Sequence, residues 1–351
     1  MSELVTECVN KIKRTSRKLR KFPHITKNGR WETTSDGYWT GGFWAGLLWL
    51  SFKLTNDRRY VKLAEHWLKL LEKRKMDKTF NLGFLFFPSF VLGYKITEDN
   101  SLKKTTLESA DNLATLFNDK ASLICVPVSK KVGQTAIDVM MNLPLLWWAC
   151  EETGKEKYYD VAYKHAKSTM KNFVRKDGST VHVIDFDLRS GDITKKGTIQ
   201  GYNDDSCWSR GQAWGIYGFA LAYKTAKDNL FLETAKKLST YFIRNVPEDY
   251  VPYWDFSDVE IPHAPRDSSA AAIACCGLMT LFESTKKKEF RHVALKILDS
   301  LSLNYLQGKN RDGILMHGCF HKPMNIGVDE SLIWGDYYFM EALMKALGEG
   351  T

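Results

Sequence analysis

Apolar residues recur along this chain at helical spacing, in two distinct patterns. In the segment YVKLAEHWLKLL, Tyr60, Leu63, Ala64, Trp67, Leu68 and Leu71 fall on one stripe, with Lys62, Glu65, Lys69 and Glu72 opposite. That is a helix with one wet face. Tyr158, Val161, Ala162, His165 and Ala166 repeat the pattern, as do Phe290, Val293, Ala294, Ile297, Leu298 and Leu301. Between such segments lie others of a second kind: TGGFWAGLLWLSF, NLGFLFFPSFVLG, TAIDVMMNLPLLWWA, SRGQAWGIYGFALAY, SSAAAIACCGLMTLF and DESLIWGDYYFMEALMKAL. These are apolar or small nearly all round, and a helix without a wet face is covered on every side. Pro88 and Pro144 fall inside two of them and predict kinks, because each removes a backbone donor.

Read in order, the pattern predicts helices near 2–21, 40–55, 57–75, 82–97, 100–118, 135–152, 156–174, 206–226, 229–247, 267–284, 287–306 and 330–348. Odd members are amphipathic and lysine-rich; even members are buried. Six such pairs predict an all-α fold, an (α/α)6 barrel of two concentric helix rings, as one domain over 1–351. A superhelical array is the alternative, but ring closure better explains why the last helix is as buried as the second. TVHVIDFD, residues 180–187, is the one good strand candidate and reads as a hairpin arm.

Composition adds few constraints. Hydrophobic residues make up 44% and charged residues 26%, as in ordinary soluble domains. The net charge of +9 comes from lysines scattered along the chain, with no dense basic block, so neither a nucleic-acid nor a membrane partner is expected. Seven cysteines, an odd number without CxxC spacing, argue against a disulfide framework or a zinc site and favour a reducing cytosol. The start, MSELVTECVNKIKRTSRKLRK, reads as an amphipathic helix rather than a secretory leader, because no apolar run follows its basic residues. A cytoplasmic protein, monomer or homodimer, without metal or cofactor, is expected.

The chemistry-bearing residues gather before or at the start of the buried helices. SDGYWTGG precedes the second helix and TFNLGF the fourth, while QTAIDVMMN opens the sixth. QGYNDDSCWSRGQAW, WDFSDVEIPHAPRDSS and HGCFHKPMNIGVDES precede the eighth, tenth and twelfth. In a closed ring these six starts share one mouth, and converging helix N-termini favour negative charge there. Asp205 or Ser206, Asp267 or Ser268, and Asp329 each suit an N-cap. Capping does not account for Trp39, His182, Gln200, Trp208, Arg210 and Trp214 at the same end. Indoles to stack on a ring and an arginine fork to take a carboxylate suit an anionic sugar. Asp138, near the start of a helix otherwise free of charge, is equally a cap or a catalyst on residues alone.

Taken together, YWTGGFWAGLLWL, IDVMMNLPLL, GYNDDSCWSRGQAWGIYGFALAY, PYWDF with PRDSSAAAIA, and HKPMN with VDESLIWGDYYFMEAL resemble glycoside hydrolase family 88, the unsaturated glucuronyl hydrolases. The resemblance spans nearly the whole chain and implies the same (α/α)6 barrel. It also implies a substrate, a small oligosaccharide ending in a 4-deoxy uronic acid with a C4=C5 double bond. The family hydrates that vinyl ether: protonation at C4, water at C5, then opening of the hemiketal with release of the remaining chain. By this resemblance Asp138 is the proton donor and base, and Trp39, His182, Gln200, Trp208, Arg210 and Trp214 line the uronate subsite.

The pattern breaks where the family carries His-Asp before LGF: Phe80 and Asn81 stand there, so Asn81 occupies the place of the second catalytic aspartate. No tryptophan lies between Trp67 and Trp147, although the family has one ahead of its catalytic aspartate. Three departures around one subsite read as natural divergence rather than a single engineered change. Asp204, Asp205, Asp255 and Asp267 are then candidates for a replacement carboxylate. A sugar epimerase using His182 with His317 or His321, and a non-catalytic saccharide binder, are the alternatives; Lys322 and His321 are placed to meet a sulfate or a second sugar, or only to brace their loop. His66 and His165 are read as packing residues.

Overall fold

The computed structural model describes residues 2–348, and the rest of the expected domain lies outside them. Six helices are buried on nearly every side: Gly41–Thr55, an interrupted segment over 82–97, Leu143–Thr153, Ser209–Ala226, Ser268–Thr285 and Ile333–Leu347. They alternate with half-exposed helices Ser2–Lys18, Arg59–Leu71, Asn100–Thr115, Glu156–Phe173, Asn229–Asn245 and Lys288–Asn304. Each inner helix packs on the next, and Ile333–Leu347 packs back on Gly41–Thr55. The ring is therefore closed, and the fold is an (α/α)6 barrel.

Periodicity places the core correctly in the amphipathic helices. Tyr60, Ala64, Trp67, Leu68 and Leu71 are buried, while Lys62, Glu65, Lys69 and Glu72 face solvent. Trp44, Trp49, Trp214 and Trp334 are fully buried, so much of the tryptophan surplus builds the barrel itself. The closure is reinforced from the ends of the chain. The buried Lys11 ammonium donates to the carbonyls of Gln307 at 2.5 Å and Gly313 at 2.8 Å, and Thr26 donates its N–H to Ser331.

Two inner segments depart from the sequence expectation. Over 82–97 the helix is broken by a wider turn at Phe87–Val91, where Pro88 sits, as expected of a residue without a backbone donor. The expected helix over 135–152 instead begins at Leu143. Pro144 lies in its first turn, where a missing N–H costs nothing, so it starts the helix rather than kinking it. The preceding residues form strand Val132–Ala136 and a 3-10 turn Ile137–Met141. A short apolar run fits a buried strand as well as a buried helix, so periodicity does not separate the two.

Among the described residues the loops between the helices carry ten short strands. Val126–Pro127, Val132–Ala136, Val183–Asp187 and Ile193–Gly197 form an antiparallel four-stranded sheet. The expected strand over 180–187 is thus a central strand rather than one arm of a simple hairpin. Phe22–Lys27 pairs with Arg30–Thr34 around Asn28 and Gly29, both at positive φ. Gly318–His321 pairs with Ile326–Glu330.

Close approach of inner helices depends on Gly42. A Cβ there would lie 2.2 Å from the Phe84 carbonyl oxygen and 2.4 Å from that of Leu85, both backbone atoms of the neighbouring segment. Gly42→Ala is therefore expected to lower unfolding free energy by about 1–3 kcal/mol. Denaturant unfolding checks this, and an unchanged midpoint would show that the two segments separate freely.

Candidate active site

The six loops ahead of the inner helices do meet. Trp39, ahead of the first inner helix, lies with its ring centroid 4.8 Å from Trp334 of the sixth and 5.5 Å from Phe84 of the second. Phe84 in turn meets Trp214 of the fourth at 5.1 Å. Asn142, ahead of the third, accepts the Phe84 N–H at 2.9 Å. Arg210 of the fourth reaches Asp267, which caps the fifth. One mouth is formed.

Asp138 sits in the 3-10 turn at the base of this mouth. Its side chain is 18% exposed, yet its Oδ2 is buried without a hydrogen-bond partner. Burial pushes its pKa up to about 6, with the Arg210 charge, hydrogen bonding from its own backbone and the Trp214 indole pulling the other way. Trp214 makes no full hydrogen bond through its ring nitrogen. An acid poised between its charged and neutral forms near pH 6 can give a proton and take one back.

His182 is positioned by the sheet. Its carbonyl accepts the Ile137 N–H at 2.9 Å, which ties it to the Asp138 turn. Its Nδ1 accepts the backbone N–H groups of Ile199 at 3.2 Å and Gln200 at 3.3 Å and faces the Thr198 hydroxyl at 3.0 Å. Accepting backbone donors fixes the tautomer: the ring proton is on Nε2, 3.7 Å from Asp138 Oδ2. Burial, with the charges of Arg210 and His321, pushes the His182 pKa down to about 3. It is a neutral donor facing the acid.

Arg210 corrects the sequence reading. The expectation was a free guanidinium fork for a sugar carboxylate. Instead Nη1 donates to Asp267 Oδ2 at 2.5 Å and to the Cys319 carbonyl at 2.5 Å. Nη2 donates to Gln200 Oε1 and to the Phe320 carbonyl, both at 2.7 Å. The side chains of both members of the ion pair are sealed, at 1% and 0% exposure. An ion pair this buried survives only with its remaining hydrogen bonds filled, and here they are filled internally. The guanidinium is also stacked 4.4 Å from the Trp208 ring and 5.5 Å from Trp334. Its bond to Gln200 orients that amide with the oxygen inward, leaving Nε2 as a donor.

The tryptophans divide by exposure. Trp214 is fully buried, and Trp208 lies between His182, at 4.3 Å between centroids, and Arg210. Neither offers a free face, contrary to the expected stacking role. Trp39 is half-buried and lies at the mouth. Beside it stand Tyr38, half exposed, and Phe320 and His24, which the sequence reading did not single out. His24 is edge-on to Tyr38 and within hydrogen-bond distance of the Thr40 hydroxyl.

The proposed replacement carboxylates are engaged elsewhere. Asp255 accepts from Tyr202 N–H, Ser206 Oγ and Ser257 N–H. Asp204 accepts the Thr198 N–H and faces Lys195, and Asp205 is exposed. Asp267 caps its helix and pairs with Arg210, so its cap expectation holds together with a second duty. The cap positions of the fourth and sixth inner helices are instead Trp208 and Leu332. Asp329, on the strand Ile326–Glu330, pairs with His317 just ahead of Gly318–His321. Lys322 faces Glu260 at 3.7 Å. His165 is more than packing, since its Nδ1 accepts the Ile124 N–H.

Among the described residues no group of three or more His, Cys, Asp or Glu is arranged to hold a metal ion, and all seven cysteines are free. Among the described residues no helix is long and apolar enough to cross a membrane. A separate cavity of about 600 Å³ runs beneath Phe84 between the inner helices, lined among others by Trp147, Tyr217, Glu341 and Lys345. It contains none of the acid–base groups of the mouth.

Comparison with known proteins accords with this arrangement. The profile of Glycosyl Hydrolase Family 88 matches residues 5–347. The chain belongs to glycosyl hydrolase family 88. It is 40% identical over 317 residues to an unsaturated glucuronyl hydrolase of Formosa agariphila, covering 88% of this chain and 79% of the relative. An unsaturated chondroitin disaccharide hydrolase of Streptococcus pneumoniae is 37% identical over 321 residues, 88% of this chain and 81% of its own. The crystal structure of the unsaturated glucuronyl hydrolase of Bacillus sp. GL1 superposes with a TM-score of 0.94 at 33% identity, covering 99% of this chain and 97% of that one. Within family 88, this chain places Asn81 at the cap position of Leu82–Phe86 with no cap hydrogen bond from its side chain.

The Arg210–Asp267 pair makes a stability prediction. Asp267→Ala leaves a buried cation unpaired and strips a helix cap, with an expected loss of about 3–5 kcal/mol. Urea unfolding measures it; a loss below about 1 kcal/mol would show that the guanidinium finds water or another partner.

Proposed function

We propose that this family 88 protein hydrates the C4=C5 double bond of unsaturated uronyl oligosaccharides, releasing the 4-deoxy uronic acid, with Asp138 as both acid and base. The names of its relatives support the substrate class. The observation that carries the mechanism is the unpartnered, buried Asp138 carboxyl at the base of the mouth.

Asp138, protonated, gives its proton to C4, and the electron pair of the double bond forms the new C–H bond. Positive charge develops at C5 and the ring oxygen. The carboxylate so formed stabilises that charge and takes a proton from the water that bonds to C5, which restores the acid. The hemiketal then opens with loss of the remaining saccharide. The neutral His182 Nε2–H, 3.7 Å from Asp138, supports the carboxylate while it is charged. Gln200 Nε2 donates to the uronate carboxylate, with Arg210 acting through it as a fixed positive charge rather than as a free fork. Trp39 supplies the open aromatic face for the sugar.

Asn81 shapes this reading. A second carboxylate would raise the acid's pKa by like-charge repulsion, and an amide cannot. Burial alone already raises it, so Asn81 favours retained activity with a lower pH range over a saccharide binder without activity. An epimerase is not favoured, because His317 is tied to Asp329, His321 Nδ1 accepts the Met324 N–H, and burial holds His182 neutral with its proton on Nε2.

The test follows ultraviolet absorbance of the double bond with a panel of unsaturated uronyl disaccharides. Turnover is expected, and Asp138→Asn should reduce it by about 10²–10⁴-fold. No turnover with any linkage would remove the reading, and activity surviving Asp138→Asn would assign the proton elsewhere. Because the acid must be protonated to act, turnover should fall as pH rises through about 6. Asn81→Asp should move that limb upward by about one pH unit; a limb that stays put would show that residue 81 does not act on Asp138.

A further inference from the structure

Asn142 occupies a position whose usual duty it does not perform. It stands at the N-cap of Leu143–Thr153, yet its side chain makes no cap bond to that helix. An asparagine at an N-cap normally accepts from a donor two or three residues on. Here the side chain is fully buried and turned across the barrel. Its Oδ1 accepts the Phe84 N–H at 2.9 Å, and its Nδ2 donates to the Asp138 carbonyl at 3.3 Å.

The Phe84 N–H is the third orphan donor of the helix Leu82–Phe86, whose own cap residue is Asn81. That donor is the one an asparagine at residue 81 would ordinarily take. Since Asn142 takes it from outside, the Asn81 side chain makes no cap bond. Gly83 makes the arrangement possible. A Cβ there would stand 2.3 Å from the Asn142 Cα and 2.7 Å from its carbonyl oxygen, so only glycine lets the two turns meet. The backbone of Asn142 is satisfied independently: its N–H donates to Val139 at 2.8 Å and its carbonyl accepts from Leu145.

We propose that Asn142 is a positioning residue that caps the neighbouring helix in place of Asn81, freeing the residue-81 side chain toward the site and holding it beside the Asp138 turn. The inference rests on the hydration reading for its kinetic consequence, but its structural content stands apart from that reading. Without the Asn142 oxygen the Phe84 N–H recruits the Asn81 side chain, and without the Asn142 Nδ2 donor the Asp138 turn loses its tether. Substrate contacts through Gln200 and Trp39 belong to other elements and stay in place.

Three variants test this. Asn142→Leu keeps the volume but neither accepts nor donates. It should lower kcat roughly 10–100-fold, as for a small displacement of a reacting group, with KM within about threefold of the wild type. Asn142→Asp keeps the acceptor for Phe84 but loses the donor to the Asp138 carbonyl, so it should recover part of that loss; a side chain that only filled space would show no such rescue. In the Asn142→Leu background, Asn81→Asp should no longer shift the alkaline limb. A loss falling wholly on KM, equal loss in Leu and Asp variants, or an undiminished Asn81→Asp effect would overturn the proposal. If Asn142→Leu does not fold, Asn142→Ala takes its place. Should the wild type turn over no unsaturated uronide, the functional reading fails. Crystal structures then decide the inference alone: Asn81 rotated onto the Phe84 N–H in the Leu variant supports it, and an unmoved Asn81 overturns it.

Discussion

A carboxyl oxygen sealed from water with no donor to meet it is the constraint around which this site is arranged. Asp138 Oδ2 is in that state, and a buried carboxylate without a partner is costly enough that the neutral acid gains ground. Everything close to it either keeps it dry or limits the shift. His182 is held neutral with its proton facing the carboxyl, and Trp214 lies against it without a full bond. Arg210 contributes positive charge, but its nearest carboxylate, Asp267, and two carbonyls hold that charge in check. The balance leaves Asp138 near the middle of its titration at about pH 6, with a minor protonated fraction still present at neutral pH, which is what a group needs if it is to serve as acid and base in turn.

The ring provides the seal. Helices with no wet face exclude water only by covering one another, and a closed ring of six does this without an exposed edge. Closure also brings six helix starts to one end, so residues from Trp39 to Trp334 meet although nearly the whole chain separates them. This part was legible in the sequence, because an apolar surface all round and a regular alternation with amphipathic helices are properties of the residues themselves. The location of the mouth follows from the same alternation, which brings the segments carrying Asp138, His182 and Arg210 to one end.

Less legible was whatever depends on which polar group finds which partner. Arg210 and Asp267 are 57 positions apart, and only the closed ring brings them together. On residues alone the arginine looked free for substrate and the aspartate looked like a cap. The Asp138 turn was read as helix because the apolar run TAIDVMMNLPLL has no period that separates a strand and a 3-10 turn from a buried helix. Asn28-Gly29 between FPHITK and RWETT is a strong short-range hairpin signal, but the meeting of His24 with Trp39 is a tertiary contact that this signal does not carry. Asn81 is visible in the sequence, but its freedom from capping is not, since the donor it leaves is taken by Asn142.

The central claim is that burial, without a second carboxylate, holds a proton on Asp138. Titration of that carboxyl by carbon-13 nuclear magnetic resonance, assigned by the signal lost in Asp138→Asn, tests it without substrate or turnover. A midpoint near 6 is the result predicted here. A midpoint at the ordinary aspartate value of about 4 would contradict it, because the protonated acid able to give C4 its proton would then be roughly a hundredfold scarcer at neutral pH.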